Sequence, residues 1–136
     1  MLERFSISLD QDLLLDFDRH LKQKKYPNRS EAIRDLIREA LVQQAWDANE
    51  NVVGVISLVY NHHQRQLQDR ITDAQHNHHD LVVSTTHIHL DHDDCLEVII
   101  ARGKSGKVRS LAESLIALRG VKSGKLQTTS GGEHIH

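Results

Sequence analysis

Two histidines and the only cysteine of the chain lie close together in the sequence. His87 and His89 are separated by one residue, and Cys95 follows six residues later. On a β-strand, residues i and i+2 project from the same face, so the two imidazoles can aim at one point. A tight turn after His89 would bring Cys95 back beside that point. Two imidazoles and a thiolate are suitable ligands for a transition-metal ion, with one coordination position still to fill.

Other interpretations of these residues stay open at this point. A histidine pair on a strand can be a solvated polar face, and Cys95 can be a small buried core residue. Eight of the eleven histidines lie between positions 62 and 92, which concentrates metal-binding capacity in one part of the chain. Residues 76–79 are rich in histidine and can equally form a solvated helix end. The aspartates after His89 are expected to shape a turn rather than to bind a hard cation: Asp91, Asp93 and Asp94.

Composition predicts a cytoplasmic protein of one domain or two small ones. The chain has 136 residues, 38% of them hydrophobic, and no apolar run approaches the about 20 residues needed to span a bilayer. Residues 1–8 lack the apolar segment of a signal peptide, and a single cysteine cannot form an internal disulfide. His134 and His136 are expected to be solvated.

Charge gives no general indication of nucleic-acid binding. The net charge is -2; residues 1–48 carry 8 basic and 9 acidic side chains, and the remainder carries 9 and 10. Neither part is basic. Any DNA binding must therefore depend on the local placement of charges.

The first residues alternate in polarity and are followed by two helical patterns. Over residues 4–9, Phe5, Ile7 and Leu9 share one face of a predicted strand, and Arg4, Ser6 and Ser8 share the other. Asp10 is a suitable N-cap for a helix over about 11–24. Asn28, with Glu31 three residues on, resembles a capping box that opens a second helix.

One strand and two helices in about 45 residues cannot bury a sufficient core alone. Two chains that pair their strands antiparallel would solve this and form a two-stranded ribbon, which fits the DNA major groove. Arg4, Ser6 and Ser8 would then face the bases, and the helix start at Asn28, Arg29 and Ser30 would anchor a phosphate. The alternative is a dimerisation arm with a solvated polar face. This segment resembles the ribbon-helix-helix repressors in its Arg-x-Ser-x-Ser strand and in residues 28–34.

The remaining residues predict a ferredoxin-like domain. A linker is expected over 45–51, followed by strands and helices at 52–60, 62–75, 80–90, 95–101, 105–119 and 121–128. The order βαββαβ is the ferredoxin-like arrangement. The fold class is thus α+β, with a ribbon-helix-helix domain over 1–48 and a ferredoxin-like domain over 52–136.

The two parts together resemble the nickel-responsive regulator family. The resemblance rests on His76, on the His-x-His-x5-Cys spacing of His87, His89 and Cys95, on residues 92–97, and on Asn-Arg-Ser-Glu-Ala-Ile-Arg at 28–34. It covers essentially the whole chain. The combination is highly specific, although no single motif is.

The resemblance implies a homotetramer with a ferredoxin-like core flanked by two DNA-binding dimers. It implies one Ni(II) per subunit in a square plane at an interface, with His87, His89 and Cys95 from one chain and His76 from its neighbour. Three nitrogens and a thiolate in a plane suit Ni(II) or Cu(II), whereas Zn(II) prefers a tetrahedron. It also implies that nickel promotes binding to a palindromic operator and represses nickel-uptake genes.

Two further features follow from the same resemblance. Glu31 and Asp35 match acidic positions that hold a second cation between arm and core, although a solvated acidic pair is the alternative. Family members can place two basic residues after the first core strand for phosphate contact. Here that segment is Gln64-Arg65, so Arg65 alone is the candidate.

Two other functions compete with this interpretation. A zinc enzyme could use His87, His89 and Cys95 with water in the open position, but no nearby glutamate is clearly placed as a general base. A metal-independent antitoxin-like ribbon-helix-helix protein would grip a partner with its C-terminal part, but such tails are usually short and disordered. We therefore expect a regulator and not an enzyme.

Overall fold

The structure is a computed structural model that describes residues 1–132 of an α+β chain. The elements in chain order are α1 (Gln11–Gln23), α2 (Arg29–Asp47), β1 (Asn51–Asn61), α3 (Arg65–Asn77), β2 (Val82–His89), β3 (Asp94–Lys104), α4 (Ser105–Ile116) and β4 (Val121–Thr129). The predicted α+β class and the βαββαβ order are confirmed. His134 and His136 lie outside the described residues.

Both N-terminal helices begin where the sequence predicts. Asp10 Oδ1 accepts a hydrogen bond from the Asp12 N–H at 2.9 Å, and Asn28 Oδ1 accepts one from the Glu31 N–H at 2.9 Å. Such side-chain caps satisfy N–H groups that have no partner within the helix. Asp10 and Asn28 therefore fix the starts of α1 and α2.

The predicted strand over residues 4–9 is not formed in the single chain. Residues 1–10 have no regular secondary structure. A strand needs a neighbour to satisfy its N–H and C=O groups, and the one sheet of the described residues does not include this segment. Its apolar side chains, Phe5, Ile7 and Leu9, are 70%, 55% and 38% exposed. The single chain thus lacks a neighbouring strand that would pair with residues 4–9.

The chain divides into two compact units, Met1–Glu39 and a second that begins at Ala40. The last turns of α2 belong to the second unit because Trp46 is buried in its core, where the indole N–H donates to the Thr129 carbonyl at 2.9 Å. The predicted linker over 45–51 is wrong in its first part, since α2 continues to Asp47. The assignment of 1–48 and 52–136 to separate domains stays a prediction.

The second unit is an antiparallel sheet with helices on one face. The strand order is β2-β3-β1-β4, so β1 and β3 are central and β2 is an edge strand. Alternate residues of β1 and β3 are buried, including Ile56, Leu58 and Ile99. They form one core with Leu67 of α3 and Leu111 of α4. On the opposite face of the sheet, the residues of the central strands β1 and β3 are half-buried, whereas most of those of the edge strand β2 are exposed.

Several boundaries differ from the predicted ones. α3 begins at Arg65 rather than at 62, because Asn61 Oδ1 accepts the His63 N–H at 2.8 Å and closes a turn. α4 ends at Ile116 rather than at 119, because Gly120 adopts φ 102° and the Val121 N–H donates to the Leu118 carbonyl at 3.1 Å. β3 continues to Lys104 because β1 pairs with it along its whole length.

Candidate metal centre

The β2–β3 hairpin brings the three predicted ligands of one chain to the same end of the sheet. His89 lies opposite Cys95 in the antiparallel register, and His87 lies opposite Glu97. Residues directly opposite on paired strands have Cβ atoms about 4.5–5.5 Å apart and project to the same face. Both histidines and Cys95 therefore face the helical side of the sheet, as the i, i+2 spacing predicts. The ring centroids of His87 and His89 are 5.5 Å apart.

Cys95 is fully buried, whereas His89 is exposed and the side chain of His87 is 34% exposed. The Cys95 thiol donates a hydrogen bond to the Tyr60 carbonyl, with the sulfur 3.5 Å from the oxygen. Burial raises the pKa of the Cys95 thiol, and the charges of Glu97 and Asp94 raise it further. A metal ion that binds here must therefore displace a proton from sulfur.

Glu97 sits at the centre of a polar network behind His87. Its carboxylate accepts a hydrogen bond from the Tyr60 hydroxyl at 2.8 Å and another from the Gln75 amide of α3. Burial and this contact both raise the pKa of Tyr60, so its hydroxyl keeps the proton that it donates. Glu97 Oε1 also lies 3.7 Å from His87 Nδ1. This separation is longer than a hydrogen bond, but it places the carboxylate beside Nδ1, so Nε2 is the nitrogen available to a metal.

The residue types fit nickel, although the side chains of a single chain do not close a site. Two imidazoles and a thiolate suit Ni(II), Cu(II) or Zn(II). Among the described residues, the donor atoms of His87, His89 and Cys95 do not all lie within 4.8 Å of one another. Exposed imidazoles change rotamer within nanoseconds, whereas the strand register fixes their Cβ positions. The backbone therefore fixes the Cβ positions of the three ligands, and only the side-chain rotamers have to change for the donor atoms to meet at one ion.

His76 lies apart from these three ligands in the single chain. It is in the last turn of α3 with an exposed side chain. Within residues 1–132, no ring contact or hydrogen bond joins its imidazole to His87, His89 or Cys95. The outer edge of β2 is unpaired in the described chain, so another chain can approach the hairpin there.

The turn aspartates behave differently from one another. Asp91 Oδ1 accepts the N–H groups of Asp93 and Asp94 at 2.9 and 2.7 Å, and these bonds lower the pKa of Asp91. Asp94 pairs with Lys122 at 2.7 Å. The carboxylate of Asp93 instead lies beside His63 and His92. The predicted turn role thus holds for the side chain of Asp91 but not for that of Asp93.

The sequence analysis missed Glu97, Gln75 and the histidines after β1. Glu97 could have been found, because it is two residues from Cys95 on a strand and must share its face. Gln75 could not, because its contact with Glu97 spans 22 positions. His62 is likewise brought to His89 only by the fold, with ring centroids 4.7 Å apart.

The predicted DNA-contact residues lie at three places. Arg4, Ser6 and Ser8 are exposed in the N-terminal segment, and Arg4 lines a groove with Ser30 and Arg34. Arg65 opens α3 and lines a second groove with Arg70 and Arg119.

Two of the predicted phosphate anchors already have partners in the chain. The Arg29 guanidinium donates two hydrogen bonds to Asp18, at 3.0 and 2.9 Å, and the Asn28 side chain caps α2. The backbone N–H groups and Ser30 remain the simpler phosphate donors at this helix start.

Glu31 and Asp35, the predicted ligands of a second cation, also have partners. Glu31 forms an ion pair with Arg34, and Asp35 accepts a hydrogen bond from the Tyr26 hydroxyl. The hydrogen bond to Asp35 raises the pKa of Tyr26. A cation bound here would have to compete with both contacts, and the second site stays a prediction.

Fold and residues define a class: a ribbon-helix-helix segment joined to a metal-binding ferredoxin-like domain. Family models agree with this division. Residues 3–44 match the model of ribbon-helix-helix proteins of the copG family, and residues 53–129 match that of the NikR C-terminal nickel-binding domain. The second match alone covers more than half of the chain.

Curated relatives match over nearly the full length and are described as nickel-responsive regulators. The chain is 56% identical to one from Desulfotalea psychrophila over 136 residues, which is 100% of both chains. It is 53% identical to one from Geotalea uraniireducens, covering 98% of this chain and 96% of the relative. The chain therefore belongs to the nickel-responsive regulator family. These relatives are described as regulators rather than enzymes.

One solved structure supports the fold alone. An uncharacterised protein from Thermotoga maritima, TM1266, superposes with a TM-score of 0.52 and 11% sequence identity. The match covers 57% of this chain and 96% of that one. Within the described residues, no helix is both long and apolar enough to cross a membrane.

Proposed function

We propose that this chain is a cytoplasmic transcriptional repressor that binds a palindromic operator when loaded with Ni(II). The observation that carries the proposal is the register of β2 and β3, which sets His87 and His89 on the same face as Cys95 in a chain of this family. The site has no catalytic role in this proposal. Binding of Ni(II) by its ligands instead raises the affinity of the DNA-binding segment for the operator.

The N-terminal unit supports pairing of two chains. Along α1, no residue is buried, and large apolar side chains of both helices are exposed: Leu13, Leu15, Leu36, Ile37 and Leu41. Exposed apolar area of this extent marks an interaction surface. A second copy, with residues 4–9 paired as a ribbon, would cover it and present Arg4, Ser6 and Ser8 of both chains to the major groove.

The metal centre also needs a second chain. His87, His89 and Cys95 leave one position of a four-coordinate ion open, and in the described residues His76 is not grouped with them as a close set of metal-binding side chains. We propose that His76 of a neighbouring chain fills that position across the open edge of β2. We propose one Ni(II) per chain and, with the ribbon and the metal site each joining a chain to a different neighbour, a tetramer of two DNA-binding dimers.

The proposed regulation is a coupling between two binding equilibria. If Ni(II) raises operator affinity by some factor, operator DNA must raise Ni(II) affinity by the same factor. Couplings of this kind are typically about 5- to 150-fold. The coupling requires that the ion bind the DNA-competent arrangement more tightly than the others.

Selection from a random duplex library tests the proposal without knowledge of the operator. The purified full chain would be incubated with the library, either with one equivalent of Ni(II) per chain or with a chelator. We expect a palindromic sequence to be enriched only with Ni(II). Enrichment of the same sequence with the chelator would support the metal-independent alternative, and no enrichment would contradict DNA recognition.

A further inference from the structure

The connection from β1 to α3 lies against the turn between β2 and β3. The His62 N–H donates to the Asp93 carbonyl at 3.0 Å. His62 Nε2 lies 2.7 Å from the His92 carbonyl oxygen, and His63 Nε2 lies 3.2 Å from the same oxygen, a contact that a metal ion bound at His63 Nε2 would replace. Backbone and side-chain contacts therefore hold two imidazoles over the outer end of the hairpin.

Three metal-binding side chains converge at this point. The donor atoms of His63, His92 and Asp93 all lie within 4.8 Å of one another. Asp93 Oδ1 is 3.5 Å from His63 Nε2 and 3.3 Å from His92 Nδ1. A transition-metal ion lies about 2.0–2.2 Å from each nitrogen or carboxylate ligand, so donors around one ion are separated by about 3–4 Å. Within residues 1–132, this is the one group of histidine, cysteine or carboxylate side chains whose donor atoms all lie within 4.8 Å of one another, and both Asp93 contacts fall in this range.

The turn does not need Asp93 for its own shape. Asp91 caps the turn by accepting two backbone N–H groups, and Asp94 pairs with Lys122. Within residues 1–132, the ion-pair contacts of the Asp93 side chain are with His63 and His92. A turn built by other residues thus presents a carboxylate between two imidazoles.

We propose that His63, His92 and Asp93 form a second metal site, for a divalent first-row transition ion such as Zn(II) or Ni(II). Two imidazoles and one carboxylate suit these ions, whereas Mg(II) and Ca(II) prefer oxygen ligands alone. The three side chains are 53%, 90% and 65% exposed, so water completes the coordination. Without a thiolate and in open solvent, the site is weaker than the one at Cys95.

The new site is a neighbour of the Cys95 site but shares no ligand with it. The ring of His62 lies between them, with its centroid 4.1 Å from that of His63 and 4.7 Å from that of His89. The two sites can therefore be removed separately. A failure of the proposed regulator function would leave this site untouched.

The experiment counts bound ions in the full chain. Equilibrium dialysis at a buffered free Zn(II) concentration, followed by elemental analysis, would compare the parent with a His63→Asn, Asp93→Asn double variant. The matched control is a His78→Asn, His79→Asn double variant, which removes two exposed histidines near the end of α3. Each comparison would be repeated in a Cys95→Ala background, and circular dichroism would confirm folding.

We expect the His63→Asn, Asp93→Asn variant to bind one ion fewer per chain than its parent in both backgrounds. The His78→Asn, His79→Asn control should keep the parent number, and millimolar Mg(II) should displace nothing. An unchanged number in the first variant would overturn the proposal, and the His–Asp contacts would then be surface ion pairs only. Equal losses in both double variants would also overturn it, because they would indicate unspecific binding to surface histidines.

Discussion

His89 lies directly opposite Cys95 in the register of β2 and β3, and the first side chain is exposed while the second is buried. The thiol of Cys95 is held against the backbone of Tyr60, and His89 is exposed, with its ring beside those of His62 and His87. A metal ion between them would bridge the core of the sheet and its unpaired edge.

Cys95→Ala should remove the nickel response while the chain stays folded. Loss of the thiolate should weaken Ni(II) binding by about 100-fold or more, since even residues behind the ligands typically contribute about 10- to 100-fold. The truncation should cost about 1–2 kcal/mol of stability, an ordinary value for a core position. Competition titration and thermal unfolding would measure both. Wild-type Ni(II) affinity in this variant would contradict the assignment.

Hybrid tetramers should show that His76 acts in a neighbouring chain. His76→Asn and Cys95→Ala should each abolish the tight site, whereas co-expressed mixtures should regain it at interfaces that combine one intact His76 with one intact Cys95. The thiolate-to-nickel absorption band measures this regain. His78→Asn, which changes another exposed histidine close to His76, should leave the band intact. Hybrids without any regained band would contradict a site that takes His76 and Cys95 from different chains.

The arrangement of the ligands on the hairpin can be predicted from the sequence, whereas the complete site cannot. Two-residue periodicity and a turn predict that His87, His89 and Cys95 share a face, because strand geometry alone dictates it. The contacts of Glu97 with Tyr60 and Gln75 join residues 37 and 22 positions apart and depend on how α3 packs on the sheet. The alternating pattern over residues 4–9 predicts a strand. The single chain does not form that strand, because a strand needs a neighbouring strand to pair with.

Glu97→Gln should weaken Ni(II) binding without loss of the fold. The neutral amide keeps the size of the side chain but removes the negative charge that lies 3.7 Å from His87 Nδ1. We expect about a 10-fold loss of affinity. Tyr60→Phe is the matched control, because it removes a partner of Glu97 and leaves the carboxylate; it should have a smaller effect in the same competition titration. Equal losses in both variants would indicate a packing role for Glu97.

Asp18 should titrate below the usual aspartate range. The hydrogen bonds from Arg29 lower the pKa of Asp18 in the folded chain. A carboxyl with a lowered folded-state pKa stabilises the fold above its unfolded pKa of 3.8, and this contribution is lost as the pH falls through the folded value. A carbon-detected NMR titration would measure the pKa of Asp18 in the folded chain. Arg29→Gln should return Asp18 toward 3.8, and an unchanged low value would contradict the cause.

Arg4→Ala should abolish specific DNA binding and leave nickel binding unchanged. Arg4 is exposed on the face that a paired ribbon would present, and a good bidentate contact to a base is worth about 1–3 kcal/mol of discrimination. Lys22→Ala, which removes an equal charge from α1, should retain sequence preference. Fluorescence anisotropy with selected and scrambled duplexes would separate the two effects. A preserved preference in the Arg4 variant would contradict the ribbon assignment.

The most direct test of nickel-dependent DNA binding is one titration with two readouts. Ni(II) would be added to the metal-free chain in the presence of a fluorescent duplex from the selection, while absorption and anisotropy are recorded together. The account predicts a thiolate-to-nickel band and tight DNA binding that saturate together at one Ni(II) per chain. DNA binding that is already complete before Ni(II) is added, or a band that saturates with no change in DNA affinity, would contradict it.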